Sequence, residues 1–423
     1  MLLESPRMAT ATFRFSSVTS AQKRTLIAAA LGWGLDGFDV MLYSMVLPTV
    51  MAALNIPKAV AGLPNAFMLL ASGIGGVMFG FIADRIGRKK ALMFSILTYS
   101  VCSLGSGLAT SLLVLMLFRF ALGLGMGGEW NTGATLVAET WPIHFRAKAL
   151  ALVQSAWAWG LAAAALVAGL LLQWTHQNWR LVFFVGILPA LVTLWIRKGV
   201  PESEMWKQHK ATTRSESSFW EIFSPPMRRQ TVSLLLLNAF GLFAWWGLFT
   251  WMPSYLTLPI EKGGRGFHIM STSALLVVLN LAGMFPGYLT FGLIADRLGR
   301  KRSLMLYTLC AALLIPLYAM ARSPWAIMLL GTIVAFFGTG FFVGSGLIGS
   351  EIFPTRVRSR GLGFTYNGAR ALSSIAPYTI GKVADNLGPA RGLSWAFWIC
   401  AVGFLLSMVM ATQLPETTGK ALE

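Results

Sequence analysis

Eleven residues occur twice in this chain. Gly80-Phe-Ile-Ala-Asp-Arg-Ile-Gly-Arg-Lys-Lys90 and Gly292-Leu-Ile-Ala-Asp-Arg-Leu-Gly-Arg-Lys-Arg302 are identical at eight positions and stand 212 residues apart, half of a 423-residue chain. At the same offset Glu139, Pro142, Arg146 and Lys148 match Glu351, Pro354, Arg358 and Arg360. Two unrelated motifs in one register imply two structurally equivalent halves.

The halves belong in a bilayer. Hydrophobic residues make up 56% of the chain and charged residues only 12%, outside the range of soluble domains. A membrane helix takes about 20 apolar residues, and charged or turn-forming residues divide the chain into twelve such runs, expected near 25–53, 62–84, 90–109, 112–140, 147–172, 179–197, 229–256, 271–296, 302–321, 324–351, 361–384 and 392–414. Six spans separate the two copies of each motif, so the repeats are parallel. The expected division is an N-terminal segment 1–24, a six-helix bundle 25–197, a linker 198–228, a second bundle 229–414 and a tail 415–423. The amphipathic run from Ser218 to Phe223 suits either a membrane surface or a solvated connector.

The net charge of +18 is a statement of topology rather than of nucleic-acid binding. Most of the Lys and Arg fall in the termini and every second loop, and the positive-inside rule then places both termini in the cytoplasm of a cell with the protein in its plasma (inner) membrane. The first span is too long for a cleavable signal and is expected to direct insertion itself. Cys102, Cys310 and Cys400 lie in apolar runs without metal or disulfide spacing. His144, His176, His209 and His268 are expected in loops, which excludes a histidine proton relay inside the membrane. Gly123-Leu-Gly-Met-Gly-Gly128 fits the letters of a dinucleotide loop but follows a helix, and no P-loop is present. Neither enzyme chemistry nor a cofactor is expected; the energy source is expected to be a proton gradient. Gly76 with Gly80, Gly283 with Gly287 and Gly340 with Gly344 have the spacing of close helix contacts.

The Gly-xxx-Asp-Arg-x-Gly-Arg-Lys loops after spans 2 and 8, with the six-plus-six arrangement, resemble the major facilitator superfamily over residues 20 to 423. The resemblance implies two bundles rocking around a central cavity lined by spans 1, 4, 7 and 10. It implies cytoplasmic gates built from Asp84, Arg85, Arg88, Glu139 and Arg146 in one half and Asp296, Arg297, Arg300, Glu351 and Arg358 in the other. Leu31-Gly-Trp-Gly-Leu-Asp36-Gly-Phe-Asp39 resembles the aromatic acid:proton symporters. Gly123-Leu-Gly-Met-Gly-Gly-Glu129-Trp is similar to the neighbouring sialate and lactate symporters. Pro201-Glu-Ser and Pro415-Glu-Thr-Thr-Gly-Lys resemble sugar porters, but span 7 lacks their paired glutamines.

Five charges fall well inside spans: Asp36, Asp39, Arg119, Glu129 and Arg370. Each costs about 2.5 to 3.5 kcal/mol at the bilayer centre on insertion scales, so they are expected to face a cavity or one another. Asp36 and Asp39 share a helix face, and two such carboxylates beside an arginine make a proton site that responds to an anion. At 1.5 Å per residue Arg119 lies near the level of Asp39, and Arg370 near that of Asp36. Arg119 is an expected substrate contact: a substrate carboxylate on it weakens its hold on Asp39 and favours protonation there, the alternative being an Asp39–Arg119 pair that is purely structural; Glu129 belongs either to the site or to the gate. Arg370, with Tyr366 and Asn367, is the expected anion clamp, since a guanidinium engages a carboxylate bidentately. Trp245 and Asn238 in span 7, Gln154 and Trp157 in span 5, and Asn280 in span 8 complete the expected substrate contacts. The expected function is proton-coupled uptake of a small organic anion, an aromatic or other monocarboxylate, by alternating access; the alternatives are proton-linked export or symport of a sugar-like solute. No protein partner is required.

Overall fold

A computed structural model describes residues 18–141, 143–209, 219–388 and 391–418. The side chains of Asp84 and Arg146 lie outside the described ones, as do most of the expected N-terminal segment and the middle of the linker. The described residues form helices and turns, with no β-strand among them.

The long helical segments are α1 (Ser20–Leu54), α2 (Leu63–Ile86), α3 (Arg88–Gly107), α4 (Leu112–Thr140), α5 (Ile143–Trp174), α6 (Trp179–Gly199), α7 (Pro225–Thr257), α8 (Ile269–Leu298), α9 (Arg300–Met320), α10 (Pro324–Ile352), α11 (355–386) and α12 (Gly392–Thr412). Ten of them are long and apolar enough to cross a membrane; α3 and α11 fall short. α3 opens on Arg88, Lys89 and Lys90, and α11 is interrupted at Ser373–Ile375. Both still run between the two faces. α3 starts beside Glu139 and ends against the Arg180 carbonyl, and α11 ends where Asp385 meets Lys58. His144 and His209 lie in helix-terminal turns rather than in loops, because α5 begins at Ile143 and a short helix spans Glu204–His209.

Three spans are irregular for one reason. The tight turns Val185–Ile187 and Ser373–Ile375 and the wide turn Leu279–Met284 are followed by Pro189, Pro377 and Pro286. A proline lacks the N–H for the bond to residue i−4 and presses on that carbonyl. Residues 185, 373 and 282 are those carbonyls, and each lies in its irregular turn.

Small residues set the close contacts. A Cβ on Gly160 would overlap the Gly34 carbonyl, and Cβ atoms on Gly123 and Gly127 would overlap the carbonyls of Met68 and Ser72. These glycines press α5 onto α1 and α4 onto α2. Gly283 and Gly287 meet the α10 backbone as their spacing suggests, while Gly340 and Gly344 meet the rings of Tyr307 and Phe291. Gly80 has open space around it, so it is not a packing glycine here.

The repeated loops are held by a third repeated feature that lies at a slightly different offset. Glu202 accepts from the backbone N–H of Arg88 (2.9 Å) and Lys89 (3.1 Å), and Glu416 accepts from those of Arg300 (2.8 Å) and Lys301 (3.4 Å). Each carboxylate caps free N–H groups at a helix start, where the helix dipole favours negative charge. Gly87 and Gly299 reach φ of +102° and +98° to make the turn, and a Cβ on either would strike that carboxylate. In the linker, Ile222 is buried and its carbonyl accepts from Thr231 Oγ1 at 2.7 Å, while Trp220 is exposed.

Gly87→Ala is expected to cost about 1–3 kcal/mol through backbone strain, read as a lower unfolding temperature in detergent, and an unchanged temperature would dismiss the cap. Partial burial pushes the Glu416 carboxyl up, but hydrogen bonds from Thr418 and the N–H groups of Arg300, Thr418 and Lys301 outweigh it and hold it below the usual carboxylate range. A depressed value means stability that is present above the ordinary Glu value of about 4.3 and lost as pH falls through the lowered one. Protection of the Arg300 and Lys301 amides against hydrogen exchange, taken relative to the intrinsic rate at each pH, should therefore fall on acidification, and in Glu416→Gln it should be low throughout.

Candidate functional site

At the centre of the molecule, aromatic residues from both halves enclose two small cavities that share Trp157, Trp245 and Trp246. One, with about 240 Å³ of atom-free space, is lined by Trp33, Gln154, Trp157, Trp245, Trp246, Tyr288, Phe342, Tyr366 and Arg370. The other reaches past Val40, Met41 and Ser44 to Phe249 and Thr250. Trp33 lies 4.5 Å from Trp157 and 4.7 Å from Trp130, and Trp157 meets Trp246 edge-on at 6.3 Å. Trp245 stacks on Phe249 at 3.8 Å. The indole N–H groups of Trp33 and Trp246 have no partner among the described residues, so the wall is apolar but carries free donors. That is the composition of a small-molecule site.

Arg370 enters this cavity from α11 and is almost fully buried, with no partner on Nε. Asp36, on α1, is fully buried and neither carboxylate oxygen accepts a hydrogen bond from a described residue. Arg370 is the cation that acts on it most strongly, and Asp36 stands about one turn along α1 from Trp33, which lines the Arg370 cavity. Asp39 turns elsewhere: Ser103 Oγ donates to its Oδ1 at 2.6 Å, and Gly186 of α6 packs on the same oxygen.

The expected pairing of Asp39 with Arg119 is not made. Arg119 Nη2 donates to Asn65 Oδ1 at 3.1 Å, and its guanidinium lies over the rings of Tyr43 (5.0 Å) and Phe183 (5.9 Å). These rings and the amide hold the arginine by cation–π attraction and hydrogen bonding, while Ser103 holds the aspartate. Asn65 Nδ2 in turn donates to Thr250 Oγ1 at 3.3 Å, which links Arg119 to the second half. Glu129 also leaves the gate: it lies against Gly32 of α1, with neither oxygen hydrogen-bonded.

Of the expected substrate contacts, Gln154, Trp157, Trp245, Tyr366 and Arg370 line the cavity. Three asparagines do not. Asn238 Nδ2 donates to the Thr365 carbonyl at 3.3 Å, Asn367 packs on Gly73 and Gly76 of α2, and Asn280 sits unpartnered in the wide turn of α8. Trp33, Tyr288, Asn65 and Thr250 were not singled out by the sequence, where an aromatic or polar residue on a buried face looks the same whichever neighbour it meets.

The face that carries the first and last described residues, Val18 and Thr418, is the terminal face. There Arg88 pairs with Glu139 at 3.3 Å, and Arg300 pairs with Glu351 at 3.5 Å and with Asp296. Arg85 and Arg297 are exposed. Arg358 Nε donates to the Phe353 carbonyl at 3.1 Å, and Arg300 Nε to Glu351 Oε1 at 3.5 Å. On the opposite face the halves meet directly. Lys58 pairs with Asp385 at 3.4 Å, Ala59 N–H donates to the same carboxylate at 2.8 Å, and Gly62 packs on the Pro377 carbonyl, where a Cβ would overlap it.

Among known proteins, the sequence model described as Major Facilitator Superfamily matches residues 29–261 and 264–422. The chain is 33% identical to the cis,cis-muconate transport protein of Acinetobacter baylyi over 90% of this chain and 92% of the relative. It is 32% identical to the sialic acid transporter NanX of Escherichia coli over 96% and 97%. The partially occluded, inward-open structure of the xylose transporter XylE from E. coli has the same fold, with a TM-score of 0.77 at 20% identity over 96% of this chain and all of that one.

The Lys58–Asp385 pair is half-shielded, and losing one partner should shift the balance toward opening by about 1 kcal/mol, roughly fivefold. In Asp385→Ala carrying Ser44→Cys, labelling by a membrane-impermeant thiol reagent from the opposite face should rise by that factor; an unchanged rate would show that the pair holds nothing shut.

Proposed function

The chain belongs to the Major Facilitator Superfamily, a multi-pass membrane transporter and not an enzyme, and on that premise we propose that it carries a small organic anion in symport with protons. It works by alternating access, in the inner membrane, with both termini cytoplasmic and the two bundles 25–197 and 229–414 moving about the linker. The observation that carries this reading is the buried Arg370 in a cavity walled by indoles, with the buried and unpartnered Asp36 about one turn along α1 from Trp33 of that wall. A flat carboxylate fits both features, its ring against Trp33, Trp157 and Trp246 and its anionic group on the guanidinium. The relatives named for muconate and sialic acid, both carboxylates, support the same class.

Coupling follows from charge balance. With the cavity empty, Arg370 and an ionised Asp36 neutralise one another. A substrate carboxylate on Arg370 displaces that role, and Asp36 then takes a proton so that the loaded cavity carries no uncompensated charge. Asp39, fixed by Ser103, is a second carboxylate on the same face.

Vesicles with a clamped internal pH provide the test. An inward proton gradient should drive accumulation of labelled members of a carboxylate panel such as benzoate, nicotinate and cis,cis-muconate. Asp36→Asn should abolish the accumulation; undiminished gradient-driven uptake by that variant would exclude coupling through Asp36. Arg370→Gln removes charged hydrogen bonds worth about 1.5–3 kcal/mol and should raise KM for carboxylates by at least about tenfold, whereas an unchanged KM would make Arg370 structural. A thermal-shift screen against the same panel and a set of sugars should rank the carboxylates first, because a bound ligand stabilises the native state.

A further inference from the structure

Three buried carboxylates climb one side of α1. Asp39 and Asp36 are on the helix itself, and Glu129 of α4 rests on Gly32, where a Cβ would strike its Oε1. At 1.5 Å per residue, the steps from 39 to 36 and from 36 to 32 are about 4.5 and 6 Å, each close to one helical turn. Glu129 is the member nearest the terminal face, since α1 enters from that face at Ser20 and α4 leaves toward it at Thr140.

Nothing in the fold holds Glu129 as an ion. It is 1% exposed and neither oxygen has a hydrogen-bond partner among the described residues. From α1 it meets Gly32 and the charge of Asp36; from α3 it faces Tyr99; from α2 the neighbouring contacts are Ser72 and Phe79 against Gly127 and Gly128. A gate or a structural ion pair needs a cation, and the charged group that acts on Glu129 is another acid. A buried ionised carboxylate with neither donor nor cation is among the costliest groups in a membrane, and the neutral acid is the form such a place tolerates.

Tyr99 reaches α1 at the residue on which Glu129 rests, Gly32. Its ring is fully buried, its hydroxyl donates to the Gly32 carbonyl across a long 3.5 Å, and Asp36, Glu129 and Asp39 all act on it. A hydroxyl so loosely held can accept one proton while giving up its own. Ser103 does not serve this way, since it is already committed to Asp39 at 2.6 Å.

We propose that Glu129 is the station through which the proton taken by Asp36 reaches the terminal face, with Tyr99 as the bridge. This rests on the proton-coupled reading above. Glu129, neutral at rest, first releases its proton toward the terminal face. The Tyr99 hydroxyl proton then passes to the Glu129 carboxylate as the acid proton of Asp36 passes to the hydroxyl, which leaves Glu129 neutral again, the phenol unchanged and Asp36 ionised. Gly32 is the small residue that lets the carboxyl lie against α1.

The test uses the full chain in vesicles and two readouts. Infrared difference spectra between acid and alkaline pH need no substrate: the wild type should show carboxylic C=O bands, Glu129→Gln should lose one, and Tyr99→Phe should move its pH midpoint. Proton-driven uptake of the panel carboxylates, set against exchange of the same carboxylate at equal pH, is the second readout. Glu129→Gln should lose at least about tenfold of the driven uptake, a scale set by positioned proton-transfer groups, while keeping exchange within about twofold, and Glu129→Asp should recover part of it. A Glu129→Gln variant with an unchanged spectrum, or with full proton-driven uptake while Asp36→Asn is uncoupled, overturns the proposal and leaves the coupled reading standing. Absence of proton-driven uptake in the wild type instead removes the coupled reading, and the proposal with it. If Glu129→Gln does not reach the membrane, Glu129→Asp and Tyr99→Phe decide: a C=O band unmoved in both overturns the relay.

Discussion

A charge held away from water in an apolar slab must be matched by something close to it, and this constraint shapes the molecule. Each of the five intramembrane charges costs about 2.5–3.5 kcal/mol if simply inserted, so none faces lipid: all are at most 2% exposed. They are placed where two helical bundles meet or where one bundle is densest. Arg119 Nη2 is taken by an amide and its guanidinium lies over two rings, Asp39 Oδ1 is held by a serine, and among the described residues neither oxygen of Asp36 or Glu129 has a partner. Uncommitted charge in a dry interior is what a moving proton or a bound anion can act upon.

The same logic divides the two faces. At the terminal face the ion pairs join residues of one half, Arg88 with Glu139 and Arg300 with Glu351, and glutamates cap the helices that follow the repeated loops. At the opposite face the contacts join the halves, through Lys58 with Asp385 and Gly62 against the Pro377 carbonyl. Rigid units at one end and a separable seam at the other are what rocking bundles need.

Glycine and proline do the local work. Close approach of α5 to α1 and of α4 to α2 requires residues without side chains, and it brings Gly32 and Glu129 together. Prolines 189, 286 and 377 each break the ladder one turn earlier in chain order. The break in α11 follows Arg370 directly, so that the helix can change course just beyond the guanidinium.

Much of this was legible in the order of residues. The repeated loops, the apolar runs and the charges within them were enough for the membrane fold, the pairing of halves and the identity of the buried charges, because the bilayer imposes length and hydropathy on each helix separately. Gln154, Trp157, Trp245, Tyr366 and Arg370 were also recognisable, as polar or aromatic residues inside apolar runs, although only Trp245 lies on a helix expected to line the cavity. Partnership was not. Whether Arg119 meets Asp39 or Asn65, whether Glu129 meets an arginine or Gly32, and which way Asn238, Asn280 and Asn367 turn depend on rotations of whole helices about their axes. Those rotations are set by packing between helices distant in sequence, and a turn of a few tens of degrees moves a side chain from a cavity wall to a neighbour's backbone. The sequence alone therefore determined which charges are buried, and the tertiary structure decided which of them stay free.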